Sequence, residues 1–158
     1  MPVMIDRRDA LAMLAASVAP AETDRQGDPG IRAALERYAT AWLANDLPAI
    51  VACYHDRFTL HYFGSNPLSG VHVGKRAALT TLAEFGRLTG RQLLGVVDIM
   101  AGATRGVILA RERLGHGGDA RDVDRVLVYR IEDGLLAECW VHDADQALID
   151  RLLTPPAG

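Results

Sequence analysis

The first clear element of the chain is an amphipathic helix. Four apolar or aromatic residues follow one another at three- and four-residue steps: Ile31, Leu35, Tyr38 and Trp42. Such spacing places them on one helical face. Pro29 suits the first turn of a helix, because its missing N–H would have no intrahelical partner there. The pattern predicts a helix that begins at Pro29 and ends near residues 45 and 46.

Two more helices and a strand follow. A short helix is predicted over 48–54 and a strand over 58–63, followed by the turn-forming residues Gly64, Asn66 and Pro67. A longer helix is predicted over 75–88, introduced by Gly74 and closed near Gly90.

The second half of the chain is rich in β-branched and aliphatic residues. The turn-like segments AGAT, GHGGDA and EDG separate four such runs, 91–100, 105–114, 123–131 and 135–141. This pattern predicts an antiparallel meander. A closing helix is predicted over 144–153, where Asp143 and Gln146 have the spacing of a capping box.

Helices followed by antiparallel strands indicate an α+β domain, in which helices cover one face of a curved sheet. Such a sheet can enclose a cone-shaped pocket. We predict one domain over 28–154, preceded by an extension over 1–27 and followed by a loose tail over 155–158.

The amino terminus allows two interpretations. Two consecutive arginines, an apolar run and the small residues at 19–21 resemble a twin-arginine export signal over 1–21, which implies a periplasmic protein. Alternatively Leu11, Leu14 and Val18 share one face of an additional helix, and the protein is cytoplasmic. We favour the helix because the apolar run is short.

Composition narrows the classes of partner. A net charge of −3 and arginines scattered among carboxylates give no basic surface, so neither nucleic acid nor a membrane is expected as a partner. Cys53 and Cys139 form no Cys-x-x-Cys pair, and we expect two buried, unreactive thiols.

A family resemblance runs from about Ile31 to Leu153 and is carried by three segments: ERYATAWLANDLPAIVACYHDRFTLHYFG, PLSGVHVGKRAAL and VLVYRIEDGLLAECWVHDADQALID. With these segments the chain resembles the nuclear transport factor 2-like superfamily, and within it the SnoaL-like and ketosteroid isomerase-like proteins. The resemblance implies a cone-shaped, curved antiparallel sheet covered by the N-terminal helices (the cystatin-like α+β roll). Relatives include cyclases, isomerases, lyases, epoxide hydrolases and members with no known catalysis.

Only some ketosteroid isomerase residues have counterparts. Tyr38 matches the tyrosine that holds the developing enolate oxygen. The aspartate base of that enzyme falls at His61 and Tyr62, and its protonated aspartate falls at Val126 or Leu127. The isomerase site is therefore not reproduced. Instead His61, Gly64 and the turn over 66–70 resemble a subset of SnoaL-like proteins.

His61 is the first catalytic candidate, because an imidazole can accept and return a proton near neutral pH. We expect Tyr38 to donate a hydrogen bond to the oxygen that gains charge. Arg125 alternates with apolar residues on its strand, so it should face the cone, where it either stabilises an anion or pairs with Asp98 or Glu112. Trp42, Phe63 and Trp140 are expected to wall the pocket, with His142 at its mouth as a second titrating group.

We therefore expect a small enzyme, without cofactor or metal, that transfers a proton on an apolar, oxygenated, aromatic or polycyclic molecule, in an isomerase, cyclase or lyase reaction. A homodimer is expected. One alternative is a non-catalytic domain for ligand binding or dimerisation. Another is an epoxide hydrolase, whose Asp-Arg-Asp arrangement would have to come from these residues: Arg111, Arg113, Asp122 and Asp124.

Overall fold

The computed structural model describes residues 27–158. Both interpretations of residues 1–21 therefore lie outside the described part of the chain. Helix α1 spans Pro29–Leu43. Its N-cap is Asp28, whose carboxylate accepts hydrogen bonds from the backbone N–H groups of Gly30 and Ile31. These bonds satisfy donors that the first turn of a helix otherwise leaves open.

The other helices are α2 (Leu47–Ala52), α3 (Lys75–Thr89) and α4 (Gln146–Leu153). Helix α3 ends at Gly90 in the left-handed conformation, as the sequence predicts. The predicted capping box at the start of α4 is wrong. Asp145 caps this helix by accepting a hydrogen bond from the backbone N–H of Leu148, because Asp143 still belongs to the preceding strand.

Six strands form one curved sheet: β1 (Tyr54–Tyr62), β2 (Gly70–Val73), β3 (Gln92–Ala101), β4 (Gly106–Leu114), β5 (Arg121–Glu132) and β6 (Leu135–Asp143). Their spatial order is β2-β1-β6-β5-β4-β3. The predicted α+β fold and the antiparallel meander over β3 to β6 are confirmed. The sheet is mixed rather than purely antiparallel, because β1 and β6 run parallel.

One face of the sheet, the inner face, packs against the helices and forms the core. The core includes Leu35 on α1, Phe58 on β1 and Phe85 on α3, all fully buried. Helix α1 approaches the sheet closely at Gly106, where a Cβ atom would collide with the side chains of Leu35 and Ile31. Glycine at this position therefore lets α1 lie directly on β4.

The opposite, outer face carries a row of mostly apolar side chains in register across all six strands. In spatial order they are Val71, His61, Trp140, Val128, Val107 and Met100. Val71 and Met100, on the two edge strands, are 60% and 42% exposed, and the four residues between them are half-buried. Among the described residues, no helix is long and apolar enough to cross a membrane.

Candidate active site

A cavity of about 590 Å³ lies between the inner face of the sheet and helices α1, α2 and α3. Apolar side chains supply most of its wall, among them Trp42, Ile50, Phe58, Leu79, Leu82, Leu127 and Val141. The polar side chains on the wall are Tyr38, Asn45, Tyr54, Arg91, Gln92, Arg125 and Tyr129. A mostly apolar concavity with a few polar groups is typical of a small-molecule site.

Three tyrosines meet at one side of this cavity. Tyr54 donates a hydrogen bond from its hydroxyl to the hydroxyl of Tyr38, at 2.9 Å. The ring of Tyr38 packs edge-on against those of Tyr54 and Tyr129, with centroids 5.5 and 5.8 Å apart. Burial raises the pKa of Tyr38, and the hydrogen bond from Tyr54 offsets this only in part. The pKa values of Tyr54 and Tyr129 are also raised by burial, so all three hydroxyls stay neutral and can act as hydrogen-bond donors.

A buried charge cluster lies beside the tyrosines. Arg125 on β5 is 3% exposed and stands opposite Asp143 on β6. Its Nε donates to Asp143 at 2.5 Å, and its Nη1 donates to Glu112 on β4 at 2.8 Å. Strand alternation explains this meeting, since all three side chains point to the inner face. Arg125 therefore lies between two carboxylates, with Asp143 and Glu112 almost fully buried.

Two neighbours complete the surroundings of Arg125. Its Nη2 donates to the hydroxyl of Tyr62 at 3.3 Å, and its guanidinium lies 4.5 Å from the ring centroid of Phe85. Burial alone would lower the pKa of Arg125, but the charges of Glu112 and Asp143 raise it overall. Burial raises the pKa of the Tyr62 hydroxyl, despite the opposing effect of Arg125. The guanidinium is thus a permanent positive charge on the cavity wall.

The structure brings together only part of the predicted site. Tyr38, Trp42 and Arg125 line the same cavity, as expected. Glu112, one of the two proposed partners of Arg125, does pair with it. Asp98 does not, because it lies on the outer side of β3, exposed to solvent.

His61 does not enter the cavity, and the expectation that it faces Tyr38 is wrong. Leu60 and Tyr62 on either side of it are buried in the core, so strand alternation turns His61 to the outer face. There its Nε2 lies 2.6 Å from Oε1 of Glu138, and its ring stacks on Trp140 with centroids 4.9 Å apart.

The other predicted wall residues also lie outside the cavity. Trp140 and His142 alternate on β6 with Cys139 and Val141, which occupy the inner face. Phe63 follows the end of β1 and stacks on His142, with ring centroids 5.0 Å apart. Their predicted placement in the pocket is therefore wrong, for the same reason as that of His61.

Comparisons with known proteins agree with this architecture. The family model of the SnoaL-like domain matches residues 35–139, about two thirds of the chain. The chain belongs to the SnoaL-like domain family. A search of curated proteins found no match.

Solved structures show the same nuclear transport factor 2-like, or cystatin-like, fold. A protein of unknown function from Xanthomonas campestris is 22% identical with a TM-score of 0.70, covering 77% of this chain and 96% of its own. A nuclear transport factor 2-like protein of unknown function from Burkholderia pseudomallei is 19% identical, with a TM-score of 0.68 and coverages of 81% and 100%. A proposed SnoaL-like polyketide cyclase from Jannaschia sp. is 16% identical, with a TM-score of 0.64 and coverages of 84% and 99%.

The epoxide hydrolase arrangement is absent from the residues first considered for it. Arg113 pairs with Asp122 at 2.7 Å, and Arg111 lies 3.8 Å from Asp124, with all four residues exposed. In this SnoaL-like protein the arginine that lies between two carboxylates is Arg125. Sequence reasoning missed the contribution of Asp143, although its alternation with Cys139 and Val141 on β6 pointed to the inner face.

A group of possible metal ligands lies away from the cavity. Ligand atoms of His55, Glu132 and Asp133 lie within 4.8 Å of one another. Nδ1 of His55 accepts a hydrogen bond from the backbone N–H of Arg57, so a neutral ring carries its proton on Nε2, the atom nearest Asp133. Glu132 is held by Arg57 and Arg130. Both carboxylate oxygens of Glu132 and Nδ1 of His55 are therefore engaged in hydrogen bonds within the chain.

A second depression, of about 750 Å³, is lined by Gly90, Arg113, His116 and Asp122 among others. It is more open than the cavity under α1, and polar side chains and glycines make up its wall. His116 donates a hydrogen bond from Nε2 to the carbonyl of Leu88, and Arg113 donates to Asp122. The enclosed cavity beside Arg125 is therefore the better candidate for a ligand site.

Proposed function

We propose that this SnoaL-like protein is a small cofactor-free enzyme that transfers a proton on an apolar, oxygenated, aromatic or polycyclic molecule. The reaction would be of the isomerase, cyclase or lyase type. The observation that carries the proposal is Arg125 on the wall of a mostly apolar cavity, hydrogen-bonded to the buried carboxylates of Glu112 and Asp143 behind that wall. Titratable groups placed beside such a cavity are characteristic of functional sites.

In this proposal Tyr38 and Arg125 stabilise the oxygen that becomes negative. Tyr54 donates its proton to the oxygen of Tyr38, which leaves the proton of Tyr38 free for the ligand. Arg125 keeps its charge and is held in place by two carboxylates. Donors that are fixed before the reaction stabilise developing charge most effectively.

Glu112 is the proposed proton acceptor in place of His61. Its Oε2 accepts a hydrogen bond from Arg125, but its Oε1 is buried and accepts none from the described residues. Both oxygens of Asp143, in contrast, accept hydrogen bonds from Arg125. Glu112 lies behind Arg125 rather than on the cavity wall, so in this proposal a proton from the substrate reaches the free lone pairs of Oε1 through one bridging water.

Proton transfer can be tested before the natural substrate is known. Purified protein is incubated in D₂O with aromatic and steroid ketones, and loss of the proton signal beside the carbonyl is followed by NMR. We expect exchange above the buffer rate for at least one ketone. Glu112→Gln should slow it by about 10²- to 10⁴-fold, the usual contribution of a general base. His61→Ala, outside the cavity, is the matched control and should keep the wild-type rate.

Ketones that bind without any exchange would favour the non-catalytic ligand-binding alternative. One observation also supports an epoxide hydrolase as a second candidate: an arginine between two carboxylates, with the Tyr62 hydroxyl bonded to it. That function predicts diol formation from limonene oxide or styrene oxide, with one oxygen derived from ¹⁸O-labelled water. Unchanged epoxide would count against it.

A further inference from the structure

Arg91 is a second positively charged residue on the wall of the cavity. It lies between Gly90, which ends α3, and Gln92, the first residue of β3. Its guanidinium carbon lies 5.9 Å from the ring centroid of Trp42 and 5.7 Å from that of Phe85. Contacts of this kind hold a planar cation against aromatic surfaces. The side chain keeps 26% of its surface exposed, so a ligand can reach it.

The hydrogen-bonding capacity of Arg91 is unused in the described part of the chain. A guanidinium has five N–H donors. The nearest acidic oxygen is Oε1 of Glu112, 3.6 Å from Nε of Arg91, which is beyond hydrogen-bond distance. Arg125, by comparison, donates to Asp143, Glu112 and Tyr62. The two arginines on this wall therefore differ, because Arg125 makes four hydrogen bonds with its five N–H donors, whereas Arg91 makes none to the described residues.

The contact with Glu112 leaves the donors on the terminal nitrogens of Arg91 available. Nε lies 3.6 Å from this carboxylate, and the two terminal nitrogens carry four of the five donors. Two N–H groups side by side match the two oxygens of a carboxylate, or one oxygen that bears a full negative charge. Arg91 can therefore stay near Glu112 through Nε while its terminal nitrogens bind a ligand.

Charge balance is compatible with an anion at this place. Glu112, Arg125 and Asp143 together carry one net negative charge, and Arg91 makes the group of four neutral. An anionic oxygen beside a neutral group meets no net repulsion. Hydrogen bonds between ionised partners are about twice as strong as those between neutral ones.

We infer that the ligand of this cavity carries an acidic oxygen, a carboxylate or an ionised enol or phenol, that binds the terminal nitrogens of Arg91. The inference rests on the proposed use of the cavity as the substrate site and narrows its substrate class. The apolar wall would hold the ring system, and Arg91 would fix the acidic end. Arg91 is a binding residue in this scheme and takes no part in the proton transfer itself.

The test compares a matched pair of probes, 2-naphthoic acid and its methyl ester, by isothermal titration calorimetry. The acid should bind at least tenfold more tightly than the ester to the wild type. Arg91→Gln should remove this preference by weakening the acid alone, and Arg91→Lys, which keeps the charge, should retain part of it. Arg151→Gln removes an exposed arginine on α4, outside the cavity, and should leave both affinities unchanged.

The outcomes separate the two proposals. Equal affinity for acid and ester, or a preference that survives in Arg91→Gln, would overturn the role of Arg91 while leaving the cavity as a ligand site. Failure of both probes to bind would contradict the use of the cavity for aromatic ligands and the inference with it. Ala83→Trp places a large side chain on the cavity wall and should abolish binding of both probes. This loss would show that the probes bind in the cavity. Circular dichroism and melting curves establish that each variant is folded.

Discussion

Arg125→Leu should be the most destabilising single change in the cavity wall. It leaves the carboxylates of Glu112 and Asp143 buried without their main counter-ion, while their exposures are 0% and 4%. Removing one partner of a buried ion pair costs about 3–5 kcal/mol. For a domain of this size 1 kcal/mol corresponds to about 3 °C in melting temperature, so a decrease of about 10–15 °C is expected.

Neutralising both carboxylates should have opposite effects on stability with and without Arg125. In the wild type, combined Glu112→Gln and Asp143→Asn should destabilise the fold, because Arg125 loses both acceptor charges. In the Arg125→Leu background the same pair of changes should stabilise the fold, since it removes two buried charges that have lost their main counter-ion. Urea unfolding at pH 7 measures the free energies of all four proteins as a double-mutant cycle.

The pH dependence of Arg125→Leu provides an independent check. A buried carboxylate without a counter-ion has a folded-state pKa above its unfolded value. The folded state then binds more protons, so the stability of this variant should rise as the pH falls from 7 towards 5. Two results would refute the description of the cluster as a buried, mutually dependent unit. One is a decrease of less than about 1 kcal/mol in the free energy of unfolding of Arg125→Leu. The other is a destabilising effect of the two carboxylate changes in both backgrounds.

Three further predictions concern other parts of the molecule. All four tyrosines have raised pKa values, so none should ionise near pH 10 in the folded protein. In the urea-unfolded protein all four should ionise near pH 10, and absorbance at 295 nm measures both titrations. The unfolded state releases these protons first, and stability should therefore fall above pH 10. His61→Ala should lower stability by less than about 1 kcal/mol in thermal unfolding, because its pair with Glu138 is partly exposed. We also propose that the row on the outer face joins two copies of the chain, since Arg130 and Glu138, which lie beside Val128 and Trp140, border it with charges of both signs. Val128→Asp, a change within the row, should then convert a dimer to a folded monomer in sedimentation.

Much of the fold follows from the sequence because its signals are local. The spacing of apolar residues on α1 and α3, and the glycine at the end of α3, were sufficient to place these helices. Strand β2 was missed because it has only four residues and lies at the edge of the sheet, where no long alternating pattern develops. The parallel pairing of β1 with β6 joins segments about 80 residues apart, which local patterns do not report.

The candidate site was harder to predict because a one-residue step along a strand reverses the face. The strand that carries His61 was predicted, but assigning a function to His61 also required knowing on which face of the sheet its side chain lies. Phe58, Leu60 and Tyr62 are all buried, and their alternation assigns the outer face to His61. For Asp143 the competing signal was its place before a helix, where aspartate often acts as a cap. That role belongs to Asp145.

The buried cluster also bears on the choice between an enzyme and a purely structural domain. A well-packed apolar substitute for a buried ion pair is often as stable as the pair or more so. Stability alone therefore gives little reason to place Arg125 in the wall of an apolar cavity, with Glu112 and Asp143 buried behind it. We therefore expect stability and activity to respond differently in the triple variant Glu112→Leu, Arg125→Leu, Asp143→Leu. This variant should melt near the wild-type temperature and yet lose proton exchange on ketones. If the folded variant retains exchange, the cluster is structural.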